Sequence, residues 1–227
     1  MTIAYVGSTQ TYFNTNANTR TISYAAGSGT NRGLMLYIMT NDSGGDALNG
    51  AGAAVTYAGV SATRVFAFDT LQAGQHVWMY GYRLENPTSG TNNYIVTLET
   101  GVSTDFQMGV LEYTGVDQTN MTDGFNTVTL TTSSATATIT TTVNNDWLTS
   151  AARAASTGNA IAGTNVTQRQ PNSGSLFGMG DTNAAQTPAG AFVQNWTCAS
   201  GAVTVGAIAI KPAGAAPTVN SNFLMFM

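Results

Sequence analysis

The sequence predicts an all-β protein: a single β-sandwich of jelly-roll type, followed by a C-terminal linker and an apolar tail. Short runs of strand-forming residues recur at intervals of about eight to twelve residues, with Gly, Asn, Asp and Ser between them. Within the runs, side chains alternate. Trp78, Tyr80, Tyr82 and Leu84 sit at a spacing of two, which places them on one face of a pleated strand. Helical periodicity competes only in residues 146–155 (DWLTSAARAA). Closely flanking Gly and Asn favour a strand from Trp147 there as well.

In chain order, residues 2–8 and 20–25 read as the first two strands, and the polar segment between them as a loop or irregular edge. Residues 32–40 (RGLMLYIMT) carry few polar side chains, so a strand buried on both faces is expected. A Gly-rich loop over 41–52 precedes short strands at 53–57 and 63–68, which turn about Ala58-Gly59. Residues 76–84, 94–100 and 106–114 form the centre of the predicted core. The Thr-rich stretch 127–142 favours strands, because Thr is β-branched and Ala135, Ala137 and Ile139 alternate. Strands at 165–170, 175–178, 191–197 and 202–210 complete the set. One domain is expected over residues 1–211. Residues 212–227 read as a Pro- and Ala-containing linker and a hydrophobic tail.

Composition excludes several function classes. Charged residues are 8% of the chain, against about 25% in average soluble domains. The resulting neutral, polar surface repels copies of itself weakly. Basic residues are scattered, so no nucleic-acid footprint forms. No apolar run approaches the roughly 18 residues of a membrane span. Cys198 stands alone, which rules out an intramolecular disulfide. The opening residues MTIAYVGSTQ lack a basic, apolar leader, so no signal peptide is expected.

Several short segments resemble a loosely defined β-sandwich domain that recurs in tailed-phage structural proteins and bacterial surface proteins. They are Asn31-Arg32-Gly33-Leu34-Met35, Val55-Thr56-Tyr57-Ala58-Gly59-Val60, Ala62-Thr63-Arg64-Val65, Trp78, Tyr94-Ile95-Val96-Thr97 and Gly115-Val116-Asp117-Gln118-Thr119. The last strand, followed by Lys211-Pro212-Ala213, is similar to the way those domains finish. The resemblance covers residues 1–213. It implies a non-enzymatic module, structural or adhesive, and carries over no catalytic residue. The missing leader favours the phage side. The expectation is a virion structural protein, made in the host cytoplasm, acting in capsid decoration or in a head or tail fibre. Its expected partners are copies of itself, with a trimer favoured, and a capsid or tail protein. The alternative is a cell-surface adhesin or lectin-like module that binds glycan.

Candidate chemistry is sparse, and no catalytic, cofactor or metal residues are assigned. His76 is the only histidine and lies in no motif. Glu85, Glu99 and Glu112 supply carboxylates, and Glu85 and Glu99 can face each other across their connection, as a glycosidase pair requires. The loop from Asn41 to Asp46 has oxygen ligands but not the EF-hand spacing. Tyr12, Phe13, Phe125 and Trp196 lie in or beside polar segments, where a lectin places its aromatic residues. The sharpest signal is the terminal set Phe223, Leu224, Met225, Phe226 and Met227. It reads as an assembly anchor, since burying each such side chain is worth about 1.5–3 kcal/mol.

Overall fold

The computed structural model describes residues 1–14, 17–42, 45–72, 75–99, 105–155, 159–170, 176–199 and 201–214, and every regular element among them is a β-strand. The first half carries β1 (Ala4–Phe13), β2 (Thr19–Ala26), β3 (Gly33–Asp42), β4 (Ala54–Tyr57), β5 (Val60–Ser61), β6 (Thr63–Gln72), β7 (Gln75–Glu85), β8 (Gly90–Thr97) and β9 (Asp105–Thr114). The second half carries β10 (Thr122–Leu130), β11 (Ser134–Thr140), β12 (Trp147–Ala154), β13 (Ile161–Ala162), β14 (Thr167–Gln170), β15 (Phe177–Asp181), β16 (Ala191–Thr197) and β17 (Val203–Ile210). The sheets they form are antiparallel.

Each half forms two sheets, and the halves repeat one another. The five-stranded sheets are β1-β9-β3-β7-β6 and β10-β17-β12-β15-β14; the smaller sheets are β2-β8-β4-β5 and β11-β16-β13. Taken in sequence, each strand of one half occupies the place of its counterpart in the other, β5 excepted. The registers agree too. The row Gln10, Gly109, Tyr37, Gly81 and Phe66 across the first large sheet corresponds to Thr127, Gly206, Ala151, Met179 and Gln170 across the second. Bulges coincide as well: Val6 in β1 matches Asp123 in β10, and Val65 in β6 matches Arg169 in β14. A bulge adds one unpaired residue and bends its strand. Two bulges at equivalent places in each half therefore mark a structural repeat.

The sheets stack in layers, with the large sheets innermost. Alternation along β3 explains why. Leu34, Leu36 and Ile38 enter a cluster shared with Ile22, Tyr57, Tyr94 and Val96 of the first outer sheet. Met35, Tyr37 and Met39 enter a second cluster with Ala151, Met179 and Ile208 of the other inner sheet. On the far side of β17, Val205, Ala207 and Ala209 pack against Ala137, Ile139 and Trp196 of the second outer sheet. A strand covered on both faces has no place for a water-facing row, so its sequence is close to continuously apolar.

The inner sheets face each other with reversed strand order. β1 lies against β14, β6 against β10, β7 against β17 and β9 against β15. An approximate twofold axis relates the halves, and the interface is of the isologous kind. Beside it Val116 and Pro212 form an antiparallel bridge. The Asp117 amide donates to the Lys211 carbonyl at 3.0 Å, and the Ala213 amide to the Gly115 carbonyl at 2.7 Å. Close approach of the layers needs small residues. A Cβ on Gly109 would stand 2.3 Å from Met179 Cε, and one on its counterpart Gly206 would stand 2.3 Å from Phe66 Cζ.

The expected single sandwich is thus replaced by two sheet pairs in one stack. The first inner sheet is apolar on both faces, and one partner sheet covers only one of them. The Thr-rich stretch splits into β10 and β11, in an inner and an outer sheet respectively. β1 continues to Phe13 through the polar residues assigned to a loop, because it is a half-exposed edge strand. The Ala58-Gly59 turn is where expected, with φ of 51° and 77° as a two-residue type I′ hairpin requires, but it joins β4 to the short β5, and the expected partner strand 63–68 lies in β6, which pairs with β7 in the inner sheet. The expected linker begins inside the fold, since Pro212 and Ala213 are bonded to the Gly115–Val116 segment. Residues 215–227, which contain the proposed anchor Phe223, Leu224, Met225, Phe226 and Met227, lie outside the described residues.

Candidate functional site

The inner sheets leave two lateral seams, equivalent under the twofold axis. At the β1/β14 seam, Asp181 is fully buried. It accepts from Arg169 Nε at 2.9 Å and Nη2 at 2.8 Å, from the Tyr113 hydroxyl at 3.0 Å and from the Asn183 amide at 2.8 Å. The Arg169 guanidinium stands 3.9 Å from the centre of the Tyr5 ring. Burial, and next the Asp181 charge, push the Tyr113 hydroxyl well above its ordinary pKa, so it stays a neutral donor. Gln170 Nε2 donates to Ser8 Oγ at 2.7 Å, and Ser8 Oγ also meets the Tyr5 hydroxyl at 2.6 Å. Internal partners fill this seam.

The β6/β10 seam is open. Where Gln170 and Ser8 stand in the other seam, this one has Phe66 and Phe125, with ring centroids 6.0 Å apart and planes at 29°. Phe66 is 4% exposed, but Phe125 is 53% exposed. A cavity of about 370 Å³ opens beside the Phe125 ring, lined by Arg64, Arg83, Asn120, Thr122 and Asp123 among others. The lining is held in place. Arg64 donates to Asp46 Oδ2 at 2.8 Å. Arg83 reaches Thr122 Oγ1 at 3.1 Å and Glu85 Oε1 at 3.3 Å.

Asp123 connects this seam to the interior. It accepts from the Thr142 amide, and from Thr142 Oγ1 at 2.6 Å. Burial opposes its ionisation, but the Thr142 bonds outweigh that and hold it below the usual carboxylate range. Its neighbour Asp146 is fully buried, just before β12. Burial first, and the Asp123 carboxyl second, push Asp146 up to about 8. Asp146 therefore keeps its proton at neutral pH.

Other sequence candidates are dispersed. His76 Nδ1 meets Asp69 Oδ2 at 2.7 Å across the β6–β7 pair, with both side chains partly exposed. Cys198 is buried, and its thiol reaches the Gly201 carbonyl at 3.9 Å. Glu85 accepts from the Met121 amide at 3.1 Å, whereas Glu99 lies past the far end of β8. With about 3.3 Å per residue, an eight-residue strand keeps these carboxylates well beyond pairing distance. Glu112 is fully buried and accepts from the Tyr24 hydroxyl at 2.8 Å and the Gly27 amide at 3.0 Å, tying one sheet to the other. In the Asn41 to Asp46 loop, Asp46 is engaged by Arg64 and by the Leu48 amide. Among the described residues, no three His, Cys, Asp or Glu side chains converge as metal ligands, and no helix is long and apolar enough to cross a membrane.

The four aromatic candidates separate cleanly. Trp196 is fully buried and donates from Nε1 to Ser150 Oγ at 2.8 Å. Phe13 packs on the first core cluster. Tyr12 and Phe125 reach solvent, at 43% and 53% exposure. Sequence reasoning missed Arg169, Asp181 and the Asp123–Asp146 pair. Arg169 and Asp181 lie on consecutive strands and Asp123 meets Thr142 nineteen residues on, but the Tyr5 and Tyr113 contacts that complete the first site come from the other half, and neither spacing nor composition marks any of them. No protein-family model, curated protein or solved structure matches the chain.

Proposed function

We propose that this chain is a non-enzymatic structural protein of a tailed-phage virion, acting in capsid decoration or in a head or tail fibre, and that each half is a jelly roll. The observation that carries the reading is the repeated strand order. Count β5 and β6 as one strand that crosses between sheets. The first half then reads one-eight-three-six in the inner sheet and two-seven-four in the outer, with strand five passing from beside strand four to beside strand six. That order supports a jelly-roll reading, and jelly rolls are an architecture of viral capsid proteins. Two such units packed face to face share one buried apolar interface, which suits a structural part.

The surface supports the same reading. With charges at 8% of residues, exposed faces are Thr-, Asn- and Ala-rich and repel copies weakly. The partners are copies of the chain, as a trimer, and a capsid or tail protein, with Phe223 to Met227 docking into a neighbour. Light scattering on the full chain and on a form ending at Ser221 tests this, together with co-sedimentation on purified tailed-phage capsids. A trimer that becomes a folded monomer on truncation, and pellets with capsids only when intact, is expected. Monomers in both forms that stay in the supernatant would overturn the reading.

A further inference from the structure

The two seams occupy equivalent places in the repeat, and only one is filled from within. At β1/β14, Ser8 and Gln170 bond to each other, and Arg169 covers Tyr5. At β6/β10, the equivalent positions hold two stacked phenyl rings, and the outer one faces water. Leaving an aromatic ring more than half exposed forgoes burial energy that a residue such as the counterpart Ser8 would not forgo. An aromatic face with a few polar groups converging on it can both hold and orient a ligand.

The chemistry of the seam selects the ligand. Phe125 offers a flat apolar face supported from below by Phe66, so it needs no ordering on binding. Around the ring stand hydrogen-bonding groups of both kinds: guanidinium donors of Arg64 and Arg83, the Asp123 carboxylate, and the Asn120 amide. The arginines are already neutralised by Asp46 and Glu85, and Asp123 adds one negative charge. This balance disfavours a phosphate, a sulfate or a nucleic acid. A ligand with an apolar C–H face and a rim of hydroxyls meets every requirement. We propose that the Phe125 seam binds a neutral saccharide, whose ring stacks on Phe125 while its hydroxyls bond to Asp123, Asn120 and Arg64. The site does not depend on the assembly role above.

The test uses the full chain and titrates soluble neutral oligosaccharides (chitohexaose, cellohexaose, maltohexaose, and mannan and galactan fragments) while following backbone amide resonances. At least one should shift the amides of Gly124, Phe125 and Thr63. Phe125→Ala and Phe125→Leu should each weaken that binding about tenfold, the equivalent of 1.4 kcal/mol, with melting temperature little changed. Phe125→Trp should retain it. Leu keeps the apolar bulk but loses the flat ring, so its failure to bind separates stacking from simple burial. Silence across the panel, or binding that Phe125→Leu leaves intact, overturns the proposal. So does a fall in oligomeric mass in Phe125→Leu, which would assign the ring to contact with another copy of the chain.

Discussion

Arg169 grips the buried Asp181 through two parallel hydrogen bonds, 2.9 Å from Nε and 2.8 Å from Nη2. Both residues belong to the second half, and they reach the first through the Tyr113 hydroxyl on Asp181 and the Tyr5 ring under Arg169. Removing one partner of a buried pair leaves an unpaired charge, at a cost of about 3–5 kcal/mol. Arg169→Ala should lower stability by that amount in urea unfolding. Arg169→Lys should recover little, because an ammonium cannot make both bonds and also cover the Tyr5 ring. Full recovery by Lys would show that only charge matters at this seam.

Asp146 should make the protein less stable as pH rises. Its carboxyl ionises near 3.9 in an unfolded chain and at about 8 in the folded one. Between those values the folded state holds a proton that the unfolded state has released, so stability falls with rising pH. The contribution is complete below about pH 4 and is lost as pH passes through about 8. Asp146→Asn mimics the protonated form and should flatten this slope. It should also be more stable than the parent at pH 8. Melting curves across pH 4 to 9 read the difference, and a parallel slope in both proteins would refute the assignment.

Phe66 fills a slot between glycines of two facing sheets. A Cβ on Gly81 of β7 would stand 2.5 Å from its ring, and one on Gly206 of β17 would stand 2.3 Å away. Gly206→Ala should therefore cost about 1–3 kcal/mol by overpacking. Phe66→Ala should cost about 3–5 kcal/mol through lost burial and a cavity. In the double variant the two costs should not add, because the cavity accepts the new methyl group. A strictly additive result in chemical denaturation would argue against the shared slot.

Neither half should behave as an independent soluble unit. A fragment of residues 1–120 would expose Met35, Tyr37, Met39, Leu111 and Tyr113, which the second half covers. A contiguous apolar face of that kind drives association. The fragment should bind a hydrophobic dye and sediment above monomer mass. Adding residues 121–214 should suppress both. A monodisperse fragment that does not bind dye would mean the inner interface contributes little.

Much of the local structure was legible from residues alone. Trp78, Tyr80, Tyr82 and Leu84 do share a face, and Tyr80, Tyr82 and Leu84 enter the first core with Trp78 packed against them. β3 was recognisable as buried on both faces by its apolar run, and β12 begins at Trp147 as expected. The repeat was not legible. Gly109 and Gly206 coincide, but Tyr37 matches Ala151 and Phe66 matches Gln170, so equivalent positions carry unlike side chains. Strand order and bulge position survive such changes because they depend on backbone pairing. Among the site residues, Phe125 was a candidate only as one of four aromatics. Exposure singled it out together with Tyr12, and Phe125 stands on a second ring beside a polar cavity.

By itself, the sequence determined an all-β chain, most of its strands, and a surface poor in charge. These follow from side-chain alternation, turn chemistry and composition, which act over a few residues. Tertiary structure decided that there are two sheet pairs rather than one, that they meet about an approximate twofold axis, and that one seam is closed by Arg169 and Asp181 while the other stays open at Phe125. Those outcomes depend on contacts between strands more than a hundred residues apart, such as Tyr5 with Arg169. Periodicity tells which side chains share a face of a strand, and only packing tells what covers that face.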